Sequence, residues 1–391
     1  MSSTKAPVVV IIGASYAGNG VARGLLNSLS KSIKVVLINP SDKFYFNIAA
    51  PRILTNPDAF RPDQYLLPIE SAFSSFPRGS FEFIQGSVYA IDPEKQTVSV
   101  SGRQMPVSYD HLVIASGSTA ASRQQSTLAP TKATATGDLQ ADIESAQKTI
   151  SKAQSVVIGG AGPVGVEIAG EFADAWEKRR ADAQVTLVSA SHHVLPMLKT
   201  GAGVAAEKAL TKKGVKLVTS RKVVSAKQPN GSGKWAITLD DGDTLEADIY
   251  ISSTGVVPNS DFVPSEFLST GGWVQVDDEL RVTAGSQSKH GRRDQLIYAV
   301  GDITTHPVRM SMKVGEQVPI VVANLKADIT GQGKRATYVQ NPKIAMMLVP
   351  IGASTGTGVA MGWVVWSKLV SLMKGRDFFV SKAAGLGGLK Q

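Results

Sequence analysis

The stretch Ser155–Phe172, SVVIGGAGPVGVEIAGEF, decides how this chain is read. Val156–Ile158 is a β-branched run of the kind that fills a buried parallel strand, and Val164–Glu177 has helical spacing. Between them stand Gly160, Gly162 and Gly165, with Pro163 and Val164 inside the turn. A strand-to-helix turn needs its first glycine for tightness and its second so that backbone can approach a phosphate. The third lets the helix lie close to the strand. The N–H groups at the helix start then replace the hydration that a pyrophosphate loses on binding.

Working outward, the same pattern opens the chain as VVVIIGASYAGNGVARGLL from Val8. Val8–Ile12 reads as a buried strand, Asn19–Ser30 as a helix and Lys34–Ile38 as the next strand. The turn runs Gly13-Ala14-Ser15-Tyr16-Ala17-Gly18, so Ser15 replaces the middle glycine; its hydroxyl is small and can donate to a phosphate oxygen. Two small-residue strand ends, HLVIASGS with Ser116 and Gly117 and EADIYISSTG with Gly255, strengthen the repeat. A final buried strand, QLIYAVGDIT, ends in Gly301 and Asp302. The motif order predicts an internal duplication in which one nucleotide-binding unit interrupts the other. Expected limits are 1–122 with 255–340 for the first unit and 123–254 for the second. Thr119–Gln140 reads as a connector rich in Ala, Ser and Thr, and 341–391 as a C-terminal α/β segment.

A carboxylate that would hold ribose hydroxyls is missing from the second strand of each unit: Asn39 stands there first, Ser189 second. A carboxylate would repel a 2′-phosphate, so NADH and NADPH both stay open as donors. His192 and His193 read either as contacts to that phosphate or as solvated loop residues.

Composition narrows the chemistry. Apolar residues make up 43% and charged residues 19% of the 391, the balance of a folded chain rather than a disordered one. The absence of cysteine removes disulfides, thiolate metal sites and catalytic thiols, and no metal site is expected. The net charge of +9 favours anionic partners, phosphorylated cofactors or acidic lipid, while no compact basic run or RNA-type aromatic signature points to nucleic acid. MSSTKAP leads directly into a strand, position 2 is Ser and the end carries no prenylation cysteine, so neither a leader nor a lipid anchor is expected. No apolar run reaches the ~18 residues of a spanning helix.

Together the N-terminal turn, GGAGPVGVE, SSTGVVPNS and IYAVGDIT resemble the two-dinucleotide flavoproteins, in which an NAD(P)H domain is inserted in an FAD domain, each Rossmann-like. NPSDKFYFNIAAPRIL and RDFFVSK are similar to the apoptosis-inducing-factor-like branch, which includes the ferroptosis suppressor type and fungal homologues. The resemblance implies FAD as cofactor, NADH or NADPH as donor, hydride transfer to flavin N5, and onward delivery to a quinone without a redox disulfide. It places Gly13, Ser15, Tyr16, Ala17 and Gly18 at the FAD pyrophosphate, Asn39 at its ribose, and Ser116 and Gly117 in the same domain. Asp302 falls at the ribityl chain, and Asn47, Ala50 and Arg52 beside the flavin. Arg52 is either a stabiliser of reduced-flavin charge or a surface arginine. Gly160, Gly162, Pro163, Val164, Gly165 and Ser189 fall to the NAD(P)H side. Glu167 orients the nicotinamide or simply favours the helix dipole, and Gln317, in KVGEQVPIVVANL, approaches the flavin ring.

In GWVVWSKLVSLMKGRDFF, Trp363, Trp366, Leu369 and Leu372 recur every third residue, near Lys368, Lys374 and Arg376. The stripe either packs on the FAD domain and shields the flavin or lies in lipid headgroups with its cations on acidic lipid. The expected location is cytoplasmic, peripheral to a lipid droplet, mitochondrial or other membrane on the second reading. Two other functions stay open: a flavin oxidoreductase of specialised metabolism acting on a small soluble intermediate, and an NAD(P)H-sensing flavoprotein.

Overall fold

The computed structural model describes residues 6–121, 138–177, 182–229, 233–283, 296–341 and 344–390. Most of the expected connector lies outside the described residues, as does part of the hairpin loop at 228–234.

Two parallel sheets carry the architecture. The first has the spatial order Phe81–Gln85, Lys34–Asn39, Val8–Ile12, His111–Ile114, Ile297–Ala299, every pairing parallel. Its central strand is covered on both faces, which is why Val9–Ile12 is an unbroken apolar run. The second has the order Lys216–Val218, Gln184–Val188, Ser155–Gly159, Ile249–Ser252, again parallel. Its strands fall between the fourth and fifth strands of the first sheet in sequence. The chain's outward passage, Ser118–Ala120, pairs antiparallel with its return, Val256–Pro258.

Glycines set the helix packing on the first sheet. Gly20 and Gly24 of the helix Tyr16–Leu29 face Val318 and Val322 of the helix Ser311–Thr330, and a Cβ on Gly24 would lie 2.7 Å from a Val322 methyl. Two bare turns on one helix thus receive two β-branched knobs from the other.

The C-terminal residues form a sheet, Met346–Ile351, Thr355–Ala360 and Trp363–Val364, followed by short helical turns. This segment joins both cores. Val349 and Ile351 pack with Val166, Ala169 and Phe172 of the second unit, whereas Phe378, Val380 and Leu389 enter the core of the first. The apolar stripe is not what packs. Trp363 is 80% exposed, Trp366 83% and Leu372 67%, with Leu369 also exposed, so the shielding expectation fails for these four side chains. Their spacing is not one helical face either, since Trp363 lies in a strand and Trp366 caps the turn that follows. No helix among the described residues is long and apolar enough to cross a membrane.

Candidate active site

The two glycine turns share one geometry. Gly13 at φ +101° donates its N–H to Ile38 O at 2.8 Å, and Gly160 at φ +102° donates to Val188 O at 2.9 Å. Both positions lie in the region that favours glycine. A Cβ on Gly13 would sit 2.5 Å from Ala115 O, and one on Gly160 2.6 Å from Ser253 O. Gly18 and Gly165 are closer still, since a Cβ there would overlap the carbonyl oxygens of Gly13 and Gly160 respectively. The middle position is open. Around Gly162 the nearest atom to a Cβ is Met197 Cε at 3.7 Å. Ser15, in the matching place, caps its helix with extended backbone and makes no side-chain capping bond. Pro163 begins the second helix, where its missing N–H costs nothing, and Val164 beside it is exposed.

Around the first cradle several expected residues converge. A Cβ on Gly301, at φ +86°, would be 3.2 Å from the Ala17 side chain, so the Gly-Asp turn lies directly on the first glycine turn. Gln317 Oε1 accepts the Gly301 N–H at 2.7 Å within the core. Ser118 Oγ donates to Asp302 Oδ2 at 3.1 Å. Ser116 and Asn259 exchange two bonds, Oγ to the Asn259 carbonyl at 2.8 Å and Nδ2 to the Ser116 carbonyl at 2.9 Å. Gly117 at φ +67° and Gly255 at φ +127° let the two crossing strands turn. Tyr16 donates its hydroxyl to Asn47 Oδ1 at 3.0 Å, and burial drives its pKa far above the ordinary tyrosine value.

Asn39 and Ser189 turn their polar atoms toward backbone. Asn39 Oδ1 accepts Ala14 N–H at 3.0 Å while Nδ2 donates to Ser41 O at 2.8 Å. Ser189 Oγ donates to His193 O and accepts Ser191 N–H, both at 3.3 Å.

Arg52 is neither at the surface nor free of partners. Its Nε and Nη2 each donate to a Glu171 oxygen at 2.8 Å and Nη1 donates to Arg376 O at 2.9 Å, with Phe378 under the guanidinium at 4.8 Å. The surface reading of Arg52 is thereby corrected.

Glu167 also has a partner, Lys374, whose Nζ lies 2.6 Å from Oε1 and 3.2 Å from Leu348 O. Burial pushes the Glu167 carboxyl up, the Lys374 ammonium pulls it down, and the net shift is upward. Lys374 is thus not a cation for lipid, a second correction; its charge is spent inside. Asp174 completes the stripe, bound by Lys213 and accepting Ala353 N–H at 2.8 Å. Glu167, Glu171 and Asp174 thus present three carboxylates along one side of the helix Pro163–Glu177. Each meets a cation from elsewhere in the chain. Gly170 lies among them, bare because a Cβ would come within 2.7 Å of Ile351 Cα. Glu171 was not among the residues singled out from sequence. Its available signal was acidic residues at i, i+4 and i+7 in an otherwise apolar helix.

Residues 7–322 match the family described as pyridine nucleotide-disulphide oxidoreductase. The chain belongs to that family. It is 31% identical over 423 residues to oxidoreductase phnG of Penicillium herquei, covering 98% of this chain and 97% of that protein. It is 26% identical over 392 residues to ferroptosis suppressor protein 1 of Homo sapiens, covering 95% and 94%. Among solved structures, the sulfide:quinone oxidoreductase of Aquifex aeolicus superposes with a TM-score of 0.76 at 18% identity, over 98% of this chain and 92% of that one. The protein is accordingly an FAD-dependent oxidoreductase that takes a nicotinamide nucleotide as donor. The cradles fit that pair, since both bring bare backbone to a helix start.

Proposed function

We propose that the protein oxidises NAD(P)H and passes the electrons directly to a quinone-class acceptor. One observation carries this: a member of a family named for a disulphide contains no cysteine, so no thiol relay stands between cofactor and acceptor. Bound FAD supplies the two-electron chemistry that no side chain here offers. The chain's own residues bind and orient. The first cradle, 13–18 with Gly301 and Asp302, holds FAD, and Gln317 fixes the Gly301 backbone. The second, 160–165, holds the donor. Glu167 and Lys374, paired in a dry place two residues beyond that cradle, orient the nicotinamide end. Arg52 serves this arrangement by fixing Glu171. The limits 1–122 with 255–340, 123–254 and 341–391 describe its three parts.

The outward-facing tail supports a lipid-soluble acceptor. Met361, Trp363, Trp366, Leu372 and Met373 are exposed beside Lys368, a composition suited to the headgroup region of a membrane. A second reading, a small soluble acceptor, is favoured by the higher identity to the fungal oxidoreductase than to ferroptosis suppressor protein 1.

Stopped-flow mixing separates them. The protein is first reduced anaerobically by NAD(P)H, then mixed with short- and long-tailed quinones, with and without anionic liposomes. Fast reoxidation by quinones, enhanced by liposomes for the long-tailed ones, is expected. Slow reoxidation by every quinone tried would contradict the acceptor assignment.

A further inference from the structure

The ends of the second-unit strands Gln184–Val188 and Lys216–Val218 carry a feature that the reductase reading does not use. Beyond them the two chains run side by side: Arg221 N–H donates to Ser189 O and Ser220 N–H to Ser191 O, both at 3.0 Å. The side chains join as well, with Ser220 Oγ and His192 Nδ1 3.1 Å apart. The Arg221 guanidinium is anchored by Asp241 and by Nη1 donating to Ser220 O at 2.8 Å. Lys222 follows, its N–H capped by Asp240 Oδ1 at 3.0 Å. His192, Arg221 and Lys222 are exposed.

In a fold of this kind, the end of the second strand is where the adenosine ribose is read. A carboxylate there accepts the two ribose hydroxyls, and an arginine there suits a 2′-phosphate. No carboxylate stands at the strand end itself, and each carboxylate near the rim already accepts a hydrogen bond from within the chain. Asp240 and Asp241 are committed to Lys222 and Arg221, and Glu207 is taken by His193 Nδ1 and Val194 N–H, both at 3.1 Å. Ser189, at the strand end itself, is buried and bonded to its own loop. Outward face the Arg221 guanidinium with Asp241 on its Nε side, Lys222, the His192 imidazole and the hydroxyls of Ser191 and Ser220, with Asp240 exposed at the Lys222 backbone. Ser220 stands at φ +53°, a conformation unusual for serine that the two backbone bonds impose.

We propose that this rim, Ser191, His192, Ser220 and Arg221, is a 2′-phosphate site and that the donor is NADPH in preference to NADH. The inference rests on the reductase reading and sharpens it. A phosphate monoester brings nearly two negative charges and three acceptor oxygens, which match a fixed guanidinium and adjacent hydroxyl donors. A ribose 2′-hydroxyl gains nothing comparable there.

Equilibrium titration of the holoprotein under anaerobic conditions tests it without turnover. NADPH is expected to bind about tenfold or more tightly than NADH at low salt, with the gap narrowing as salt screens the contact. The analogue 2′,5′-ADP should displace NADPH where inorganic phosphate at equal concentration does not. In Arg221→Ala, NADPH affinity should fall toward that of NADH while NADH affinity stays within about twofold. His192→Ala, at an exposed loop position, should move in the same direction and guards against a folding defect. Equal affinities in the unaltered protein, tighter NADH, or displacement by inorganic phosphate alone would overturn the site and leave the reductase reading intact. Failure to bind either nucleotide would remove both.

Discussion

Arg52 and Glu171 meet fork to fork, two nitrogens on two oxygens at 2.8 Å each, 119 positions apart in the chain. Arg52 belongs to the short helix Ala50–Thr55 of the first unit and Glu171 to the helix of the second cradle. The bond therefore fixes one nucleotide unit against the other, and the Arg376 carbonyl ties in the C-terminal segment. Both side chains are under a tenth exposed. Breaking a buried pair from one side leaves a stranded charge, at about 3–5 kcal/mol, whereas replacing both by apolar groups is often neutral. Urea unfolding of Arg52→Met, Glu171→Leu and the double variant should show two damaged singles and a largely recovered double. Additive losses would show that the pair is not a unit.

Glu167 and Lys374 are joined across 207 residues. Lys374→Met removes the ammonium that opposes burial, so the Glu167 carboxyl pKa moves further upward. Reduction of the flavin by NAD(P)H should slow by about tenfold or more in this variant and in Glu167→Gln, since orientation of the donor is lost. Reoxidation should be unchanged in both. Equal slowing of the two half-reactions, read by stopped-flow absorbance, would reject a role at the donor side.

The two glycines of the second cradle separate folding from binding. Gly162→Ala adds a methyl into open space, so thermal stability should hold while NAD(P)H affinity drops about tenfold or more. Gly165→Ala drives a methyl into the Gly160 carbonyl and should lower the melting temperature. Both variants should keep their FAD, because the first cradle is untouched. Parallel measurement of flavin content, melting temperature and nucleotide affinity checks all three statements.

Such contrasts show what the sequence makes legible. The positive φ of Gly13 and Gly160, and the backbone approach that excludes a Cβ at Gly18 and Gly165, can be met only by glycine, so these four announce both cradles. Alternating strands and helices around them give the two parallel sheets. Lys374 was illegible in its role: a lysine among exposed tryptophans looks solvent-facing, and only the folded chain brings it to Glu167. The burial of Arg52 was illegible for the same reason, its partner lying in the other unit. Asn39 shows a subtler limit. Its amide marks a hydrogen-bonding position, but residue type does not say that the partner is Ala14 N–H.

Asp328 is one source of acid-dependent stability. Asp328 accepts from Tyr298 Oη at 2.7 Å and from Arg281 Nη2 at 2.7 and 2.8 Å, with Arg335 also bound. Burial would raise its pKa, but the Tyr298 hydroxyl and the two guanidiniums outweigh burial and hold it below the ordinary carboxylate range. A group more acidic folded than unfolded stabilises above its unfolded pKa of about 3.9, and that contribution disappears as pH falls through the folded value. Asp328→Asn should lower the melting temperature at pH 7 and flatten its decline below about pH 4. Parallel melting curves for both proteins across that acid range would refute the assignment.

The central claim is that the second cradle presents a nicotinamide nucleotide to a flavin held by the first. Anaerobic titration of the purified, FAD-loaded protein with NADPH, followed by its visible spectrum, tests this most directly. The account predicts a yellow protein whose flavin band bleaches as reductant is added. A protein that stays colourless when supplied with FAD, or stays yellow under excess NADPH and NADH, would contradict it.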